Sequence, residues 1–584
     1  MRLVAAIISF VLAFAMIAFG IAQRTVLAPP DSVTASTVVK GDAPITLIDS
    51  KTLRSVQGRQ NLEIRGDGAV FAAYGRTDDV MAWVGDASYN RVGYNAEKGT
   101  LVSKTTTGKE QTVPDPQGSD LWLDEFSRKD SVNFTVNVPE GITVIVASDG
   151  TAPAPADIAI RWPIDNRTPW SGPLIVGGGL LLLVGIGLYL WALAHMRRLR
   201  GPQRKAPKMP KAPKQKAYKP KKRPSSGPPS GRRAAGRRAA IAVPILLVGA
   251  IGLSGCSPDL WPEFLGGSSA STPEPTASPT APVDKNLPAP AVTVPQLKLI
   301  VARVSALAAK ADADKDADLV SSRFVGAALE SRVANYGIRK VDGSVAALPV
   351  IPPGDVELTL PQQSDSWPRS VFTVVQDPTD KTIAPMAMML VQDSPRENFK
   401  VAYLTALEAK VTLPDVAPAS VGAPQLSPSQ KLLKIPPADL ALAYGDLLDK
   451  GTTSQFADQF DLDGDTLYPV IGPDARAKSV AAVPLATTTF VNASGTAPIA
   501  LSTNDSGAIV AVQLTETQEV RPSEAGASVN PEGQVKSLSG VSSSTKGTSA
   551  VYGDQLLFYV PSAGSKEKIR LLGFTSGLIA AKEL

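Results

Sequence analysis

Hydrophobic and polar positions follow three rhythms along this chain, and each marks a different kind of segment. Leu3–Ala22 is an unbroken run of 20 apolar or small residues behind Arg2, long enough to span a hydrocarbon core. A second run covers residues 173–195, with Trp170 before it and Tyr189 and Trp191 near its far end, as expected of side chains at membrane interfaces. A third, Ala240–Gly255, has 16 mostly apolar residues. It is short for a span but the right length for a signal core.

Between the first two runs, residues 24–172 alternate with period two, as in Leu62-Glu63-Ile64-Arg65 and Val132-Asn133-Phe134-Thr135-Val136. Glycine and Asp-Gly pairs punctuate the alternation. This pattern predicts an all-β domain, a small sandwich. Trp83, Trp122 and Trp162 are expected to pack its core or edge in preference to binding a sugar.

Beyond the third run, residues 257–294 are rich in Ser, Thr, Pro and Ala and too poor in apolar side chains to fold, which predicts a tether. From Pro295 the rhythm becomes helical, with Ile300, Val301, Val304, Leu307 and Ala308 on one face, and a second helix is predicted over about 317–336. Strands follow, and the order restarts at Pro436-Pro437. Two α+β repeats are therefore expected, 295–430 and 431–584. Their final hairpins correspond: MAMMLVQDSPRENFKVAYLTAL and QLLFYVPSAGSKEKIRLLGFTSGL each join two apolar strands through a polar, serine-containing turn.

Charge sharpens this plan. Arg197–Arg238 holds 17 Lys and Arg and no acid, leaving 42 basic against 54 acidic side chains elsewhere, a net of −12. The basic excess therefore belongs to one Pro-rich linker, 196–239, which the positive-inside rule places in the cytoplasm. The run over 1–23 then crosses outward as an anchor, and 173–195 returns. Nucleic acid is not an expected partner, because only Tyr218 interrupts the lysines as a stacking group. Anionic membrane lipid is the expected one. The chain has one cysteine, Cys256, and one histidine, His195. This rules out an intrachain disulfide, a thiolate cluster and an HExxH zinc site.

Arg232–Cys256, RRAAGRRAAIAVPILLVGAIGLSGC, resembles a bacterial lipoprotein signal, with Leu253, Ser254 and Gly255 as the lipobox before Cys256. The resemblance implies diacylglycerol on the Cys256 thiol and a cut before it. Unlike such signals it follows 231 residues, so 240–256 is expected to be either that signal or a third span. With its Ala, Pro and Arg bias and Ser/Thr/Pro tether, the chain resembles an actinobacterial-type cell-envelope membrane protein. The twofold helix-then-strands order also resembles a tandem pair of NTF2-like cone domains, which implies a pocket suited to binding.

No catalytic residue is singled out and no cofactor is implied. Asp461, Asp463 and Asp465 alternate like the start of a calcium loop, but Thr466 and Gly472 stand where that loop needs Gly and Glu. They are weak candidate ligands, a solvated turn is favoured, and no metal is expected. Asp312, Asp314, Asp316 and Asp318 are expected to break or solvate a helix junction. Ser543-Ser544-Thr545-Lys546 spells S-x-x-K without its companion motifs. The favoured reading is a membrane-anchored extracytoplasmic binding or scaffold protein, with cell-wall glycan or another envelope protein as its partner. The alternative is an enzyme or accessory subunit for envelope glycans.

Overall fold

A computed structural model describes residues 2–28, 30–164, 168–199, 287–409 and 411–584. The basic linker, the third apolar run, Leu253, Ser254, Gly255, Cys256 and most of the tether lie outside the described residues. The described residues form two compact units, one from 2–33 with 162–199 and the other from 34–161 with 287–584.

The first unit contains α1 (Arg2–Arg24) and α4 (Ser171–Leu199), the first and fourth helices in chain order. Both are long and apolar enough to cross a membrane. They pack antiparallel through small residues. A Cβ on Gly20 would stand 2.8 Å from Ile175, and one on Gly178 would stand 2.7 Å from Ile17. Such close backbone approach is how helices associate when no hydrophobic effect acts between them. Phe10 and Tyr189 meet edge to face at 6.5 Å. His195 is exposed near the end of α4.

In the second unit, the module 34–161 is β-rich rather than purely β. Its strands are β1 (Ser32–Val38), β2 (Ile45–Asp49), β3 (Gln60–Arg76), β4 (Tyr89–Asn95), β5 (Thr100–Thr106), β6 (Asp124–Val136), β7 (Ile142–Ala147) and β8 (Asp157–Pro163). They form one sheet in the order β1-β8-β3-β7-β2-β4-β5, with β6 also on β3. The long β3 explains the continuity: its first half pairs with β8, its second half with β7, and β6 follows most of its length. Its register shifts between Arg65 and Ala69, where Gly68 adopts φ +94° and supplies the conformation a bulge needs. Two short helices interrupt the strands, α2 (Ser50–Leu53) and α3 (Thr77–Val84). Trp83, Trp122 and Trp162 are 1%, 3% and 0% exposed, so none is a platform for a sugar.

The module 287–584 begins with α5 (Val294–Asp314), α6 (Ala317–Ser321) and α7 (Gly326–Val341), then β9 (Asp355–Pro361), β10 (Arg369–Gln376), β11 (Met386–Gln392) and β12 (Lys400–Leu407). The order then restarts with α8 (Pro437–Lys450), α9 (Tyr468–Ile471) and α10 (Pro473–Ala481). The short β13 (Phe460–Asp461) lies between α8 and α9, and after α10 come β14 (Ala486–Ser494), β15 (Ile499–Ser502), β16 (Ala508–Pro522), α11 (Gly533–Ser539), β17 (Thr548–Val560) and β18 (Ile569–Glu583). The two halves share one sheet, β9-β10-β11-β12-β18-β17-β16-β14. The two hairpins matched in the sequence, β11–β12 and β17–β18, lie back to back through their second strands.

Alternation within these strands fills three cores. Val371 and Val375 of β10 face the helices α5–α7. Val510 and Val512 of β16 face α8. The intervening positions Phe372 and Val374 meet Ile509, Ala511, Leu557 and Tyr559 in a core between the halves. Every residue of β10 is buried, as expected for a strand covered on both faces. The acidic run near 312–318 is mostly structural. Asp312 binds Arg332 and Tyr336, and Asp316 caps α6 through the amides of Asp318 and Leu319. The halves join where Leu407 pairs with Gly573. A Cβ on Gly573 would stand 2.4 Å from the Ala406 carbonyl, so only glycine fits the seam. Gly573→Val is expected to lower stability by about 1–3 kcal/mol or more in urea unfolding, whereas Gly577→Ala, with nothing within 4 Å of its Cβ position, leaves the midpoint almost unchanged.

Candidate functional site

The most heavily built polar region among the described residues lies where the module 34–161 meets the module 287–584 inside the second unit. It is organised around α3 and the loop before β6. In α3, Asp78 and Asp79 occupy the first turn and Gly85, at φ +58°, ends the helix. Acids near the N-terminus complement the helix dipole, and glycine accepts the left-handed stop.

Asp79 is 2% exposed. Arg76 donates to it at 2.7 Å, and Arg369 of β10 approaches at 2.8 Å. The latter is an ion contact without the alignment of a hydrogen bond. Burial pulls the Arg369 pKa below its ordinary value, partly offset by Asp79. Arg76 also donates to the carbonyls of Pro290 and Ala291, at 2.6 and 3.3 Å. At the other end of α3, Arg396 donates to the Trp83 and Val84 carbonyls at 2.8 Å each and to Glu110 at 2.6 Å. The last carbonyls of the helix are thereby capped by a cation from the other module.

The second anchor is Asp120, whose side chain is fully buried. It accepts from Arg323 through both oxygens, from Arg303 at 3.3 Å and from the Phe399 amide at 2.9 Å. Its own amide donates to Asn398 at 2.9 Å. Arg303 reaches on to Glu125 at 2.7 Å. Gln296 forms the capping box of α5 with Thr293 and also donates to the Leu121 carbonyl at 3.0 Å. Between the two anchors, Trp367 packs against the core of the 34–161 module. The Arg369 guanidinium lies 3.7 Å over the Trp367 ring.

One regularity stands out. The acids Asp79, Glu110, Asp120 and Glu125 all come from the first module, and the arginines Arg303, Arg323, Arg369 and Arg396 all come from the second. Guanidinium forks suit this work, because they stay charged and bridge carboxylates and carbonyls at once. Such complementarity fixes register between surfaces. Nothing in the sequence flags it, since each acid meets an arginine that is distant in the chain. The turn Asp393–Glu397 reads as a hairpin connection, yet it carries Arg396 to the interface.

The calcium-like aspartates are not gathered. Asp465 is buried, accepting from Tyr444 at 2.7 Å and from the Leu467 and Tyr468 amides. Asp461 accepts from the Asp463 amide, as in a turn. Among the described residues no group of three His, Cys, Asp or Glu side chains could hold a metal ion. Ser543–Lys546 is a loop in which Ser544 bonds Glu583 and the Lys546 amide.

A family model described as "Domain of unknown function (DUF8094)" matches residues 288–583. No curated protein and no solved structure matches the chain. The matched residues contain Arg303, Arg323, Arg369 and Arg396 and none of the acids that these four meet across the interface. Asp120→Ala strands the buried Arg323 and is expected to cost about 3–5 kcal/mol in chemical denaturation. Glu519→Ala, which breaks the exposed Glu519–Arg521 pair, is expected to cost less than about 1 kcal/mol.

Proposed function

The chain belongs to the DUF8094 family, whose description assigns no activity, and we propose that it is a membrane-anchored extracytoplasmic binding or scaffold protein of the cell envelope. The observation that carries this is the acid–arginine interface, which makes 34–161 and 287–584 one body. Two parts of one folded body lie on the same side of a membrane.

If α1 and α4 both cross, with Arg197 and the basic linker inside, the module 34–161 is outside, and so is everything docked on it. The chain must then cross once more between residues 199 and 287. Ala240–Gly255 is the apolar run that fits, and it delivers Cys256 to the outer face. Diacylglycerol on Cys256 would add a second anchor. A cut before Cys256 would leave two chains held by the interface alone. The partners of such a body are membrane lipid and a cell-wall glycan or envelope protein.

A glycan-cleaving enzyme, the alternative, needs two carboxylates about 5–10 Å apart with one free to attack or to activate water. Glu516 and Asp554 line one recess, but Glu516 is committed to Arg476, which favours binding.

Cys256 is the single cysteine, so a Cys256→Ser background allows clean labelling. Asp67→Cys and Lys566→Cys, one exposed site in each module, are both expected to react with an impermeant maleimide on intact cells. Protection of either site overturns the sidedness. In membranes of the unmodified protein, mass spectrometry is expected to find a lipid-modified fragment beginning at Cys256 that co-purifies with the N-terminal piece. A full-length species with a free Cys256 thiol overturns the lipidation.

A further inference from the structure

Between α7 and β18 lies a cavity of about 240 Å³ whose lining side chains are all neutral. One side is formed by residues 575–578 of β18 and the other by Ser331, Asn335 and Ile338 of α7. The loop residues 345–348 and Gln534 of α11 complete it. A glycine keeps it open. A Cβ on Gly577 would have nothing within 4 Å, and Gly577 does not adopt a positive φ. Neither a turn nor a close backbone approach demands glycine there, so what its missing side chain provides is space.

The second feature is a strand edge without a partner strand. β12 pairs with β18 only at Ala406–Phe574 and Leu407–Gly573, and the Glu408 amide donates to the Leu572 carbonyl at 2.9 Å. Along an antiparallel strand, alternate residues turn their backbone groups to the same neighbour. Ser576, two past Phe574, therefore turns its N–H and C=O to this side as well. By then β12 has left. The Leu404 amide, which would face Ser576, donates instead to Gln555 Oε1 at 2.9 Å, and Gln555 donates to Ser331 Oγ at 3.1 Å. The Ser576 hydroxyl bonds Asp554, so Ser576 brings its backbone to the cavity. Beyond Leu578 the edge closes, because Val535 and Leu538 of α11 pack on the cluster of Ile338, Ala550 and Leu578.

These features select a ligand. A charged group would lose its hydration here and meet no counter-charge, so the ligand is neutral. The volume equals that of about eight liquid waters at roughly 30 Å³ each. It lies below the roughly 300–1,000 Å³ of a whole-ligand site, and so admits the end of a molecule. The N–H and C=O of Ser576 match a secondary amide, which offers the same two groups as a further strand would. With the edge closed beyond Leu578, there is room for one such amide and not for a run of peptide. Ile338, Val345 and Leu348 give an apolar wall that suits a methyl group. The Thr575 hydroxyl and the exposed Gln534 amide make no hydrogen bond among the described residues, and each can donate and accept. We propose that this cavity binds a neutral sugar bearing an acetamido group, as the end of a glycan. The Ser576 backbone holds the amide, and Thr575 and Gln534 hold ring hydroxyls. The assignment rests on the binding reading and names its ligand class.

The probe is N-acetylglucosamine, titrated calorimetrically into the full-length protein in a polyoxyethylene detergent, which carries no sugar. Glucose, which lacks the acetamido group, and N-acetylalanine methylamide, which has amides but no ring, are the controls. Saturable binding of the amino sugar is expected in the millimolar range, with glucose at least about tenfold weaker. Thr575→Val and Gln534→Ala are each expected to weaken binding about three- to tenfold. Gly577→Leu, which puts a side chain into the open space, is expected to abolish binding while the urea midpoint stays close to that of the parent protein.

Five results overturn the proposal: glucose binding as tightly, the peptide analogue binding more tightly, undiminished affinity in both Thr575→Val and Gln534→Ala, a folded Gly577→Leu that still binds, or no saturable binding of the amino sugar at tens of millimolar. The cysteine-labelling and lipidation results depend on neither the cavity nor the probe, so the two readings fail separately.

Discussion

A carboxylate with no access to water must be answered by cations and N–H donors, and Asp120 is answered almost wholly by the other module. Arg323, Arg303 and the Phe399 amide converge on it. The desolvation cost of such a group is several kcal/mol unless its partners are in place. The position of α5, the start of α7's half and the β11–β12 turn are therefore set by one side chain more than 170 residues upstream. Asp79 repeats the arrangement around α3. Between the two, Trp367 adds apolar contact, but the polar groups fix the register. Docking by apolar area alone would tolerate sliding, whereas docking by buried forks tolerates little.

The sequence made the segment types plain, because they depend on local periodicity. Period-two runs became strands, the helical stretch after Pro295 became α5, and the two similar hairpins proved to be β11–β12 and β17–β18. What local pattern could not show was partnership. Asp120 and Arg323 are 203 residues apart, and Arg396 and Trp83 are 313 apart. Nothing in the surroundings of either residue names the other. For the same reason the plan of separate β and α+β domains becomes a single compact unit. Both plans contain the same elements and differ only in what covers them.

Alternation also carried more than it announced. In β10 and β16 both parities are apolar, which local reading takes simply as burial. The fold uses one parity for the helices and the other for the opposite half.

The interface has a consequence for the order of synthesis. Residues 34–161 leave the ribosome well before Arg303 and Arg396, so the first module must persist with its docking face unanswered. An unfinished face made chiefly of hydrocarbon would invite aggregation during that interval. A face carrying Asp79, Glu110, Asp120 and Glu125 can remain hydrated, and it repels other nascent copies of itself. The same four charges that lock the finished body keep its first half soluble while it waits for the second.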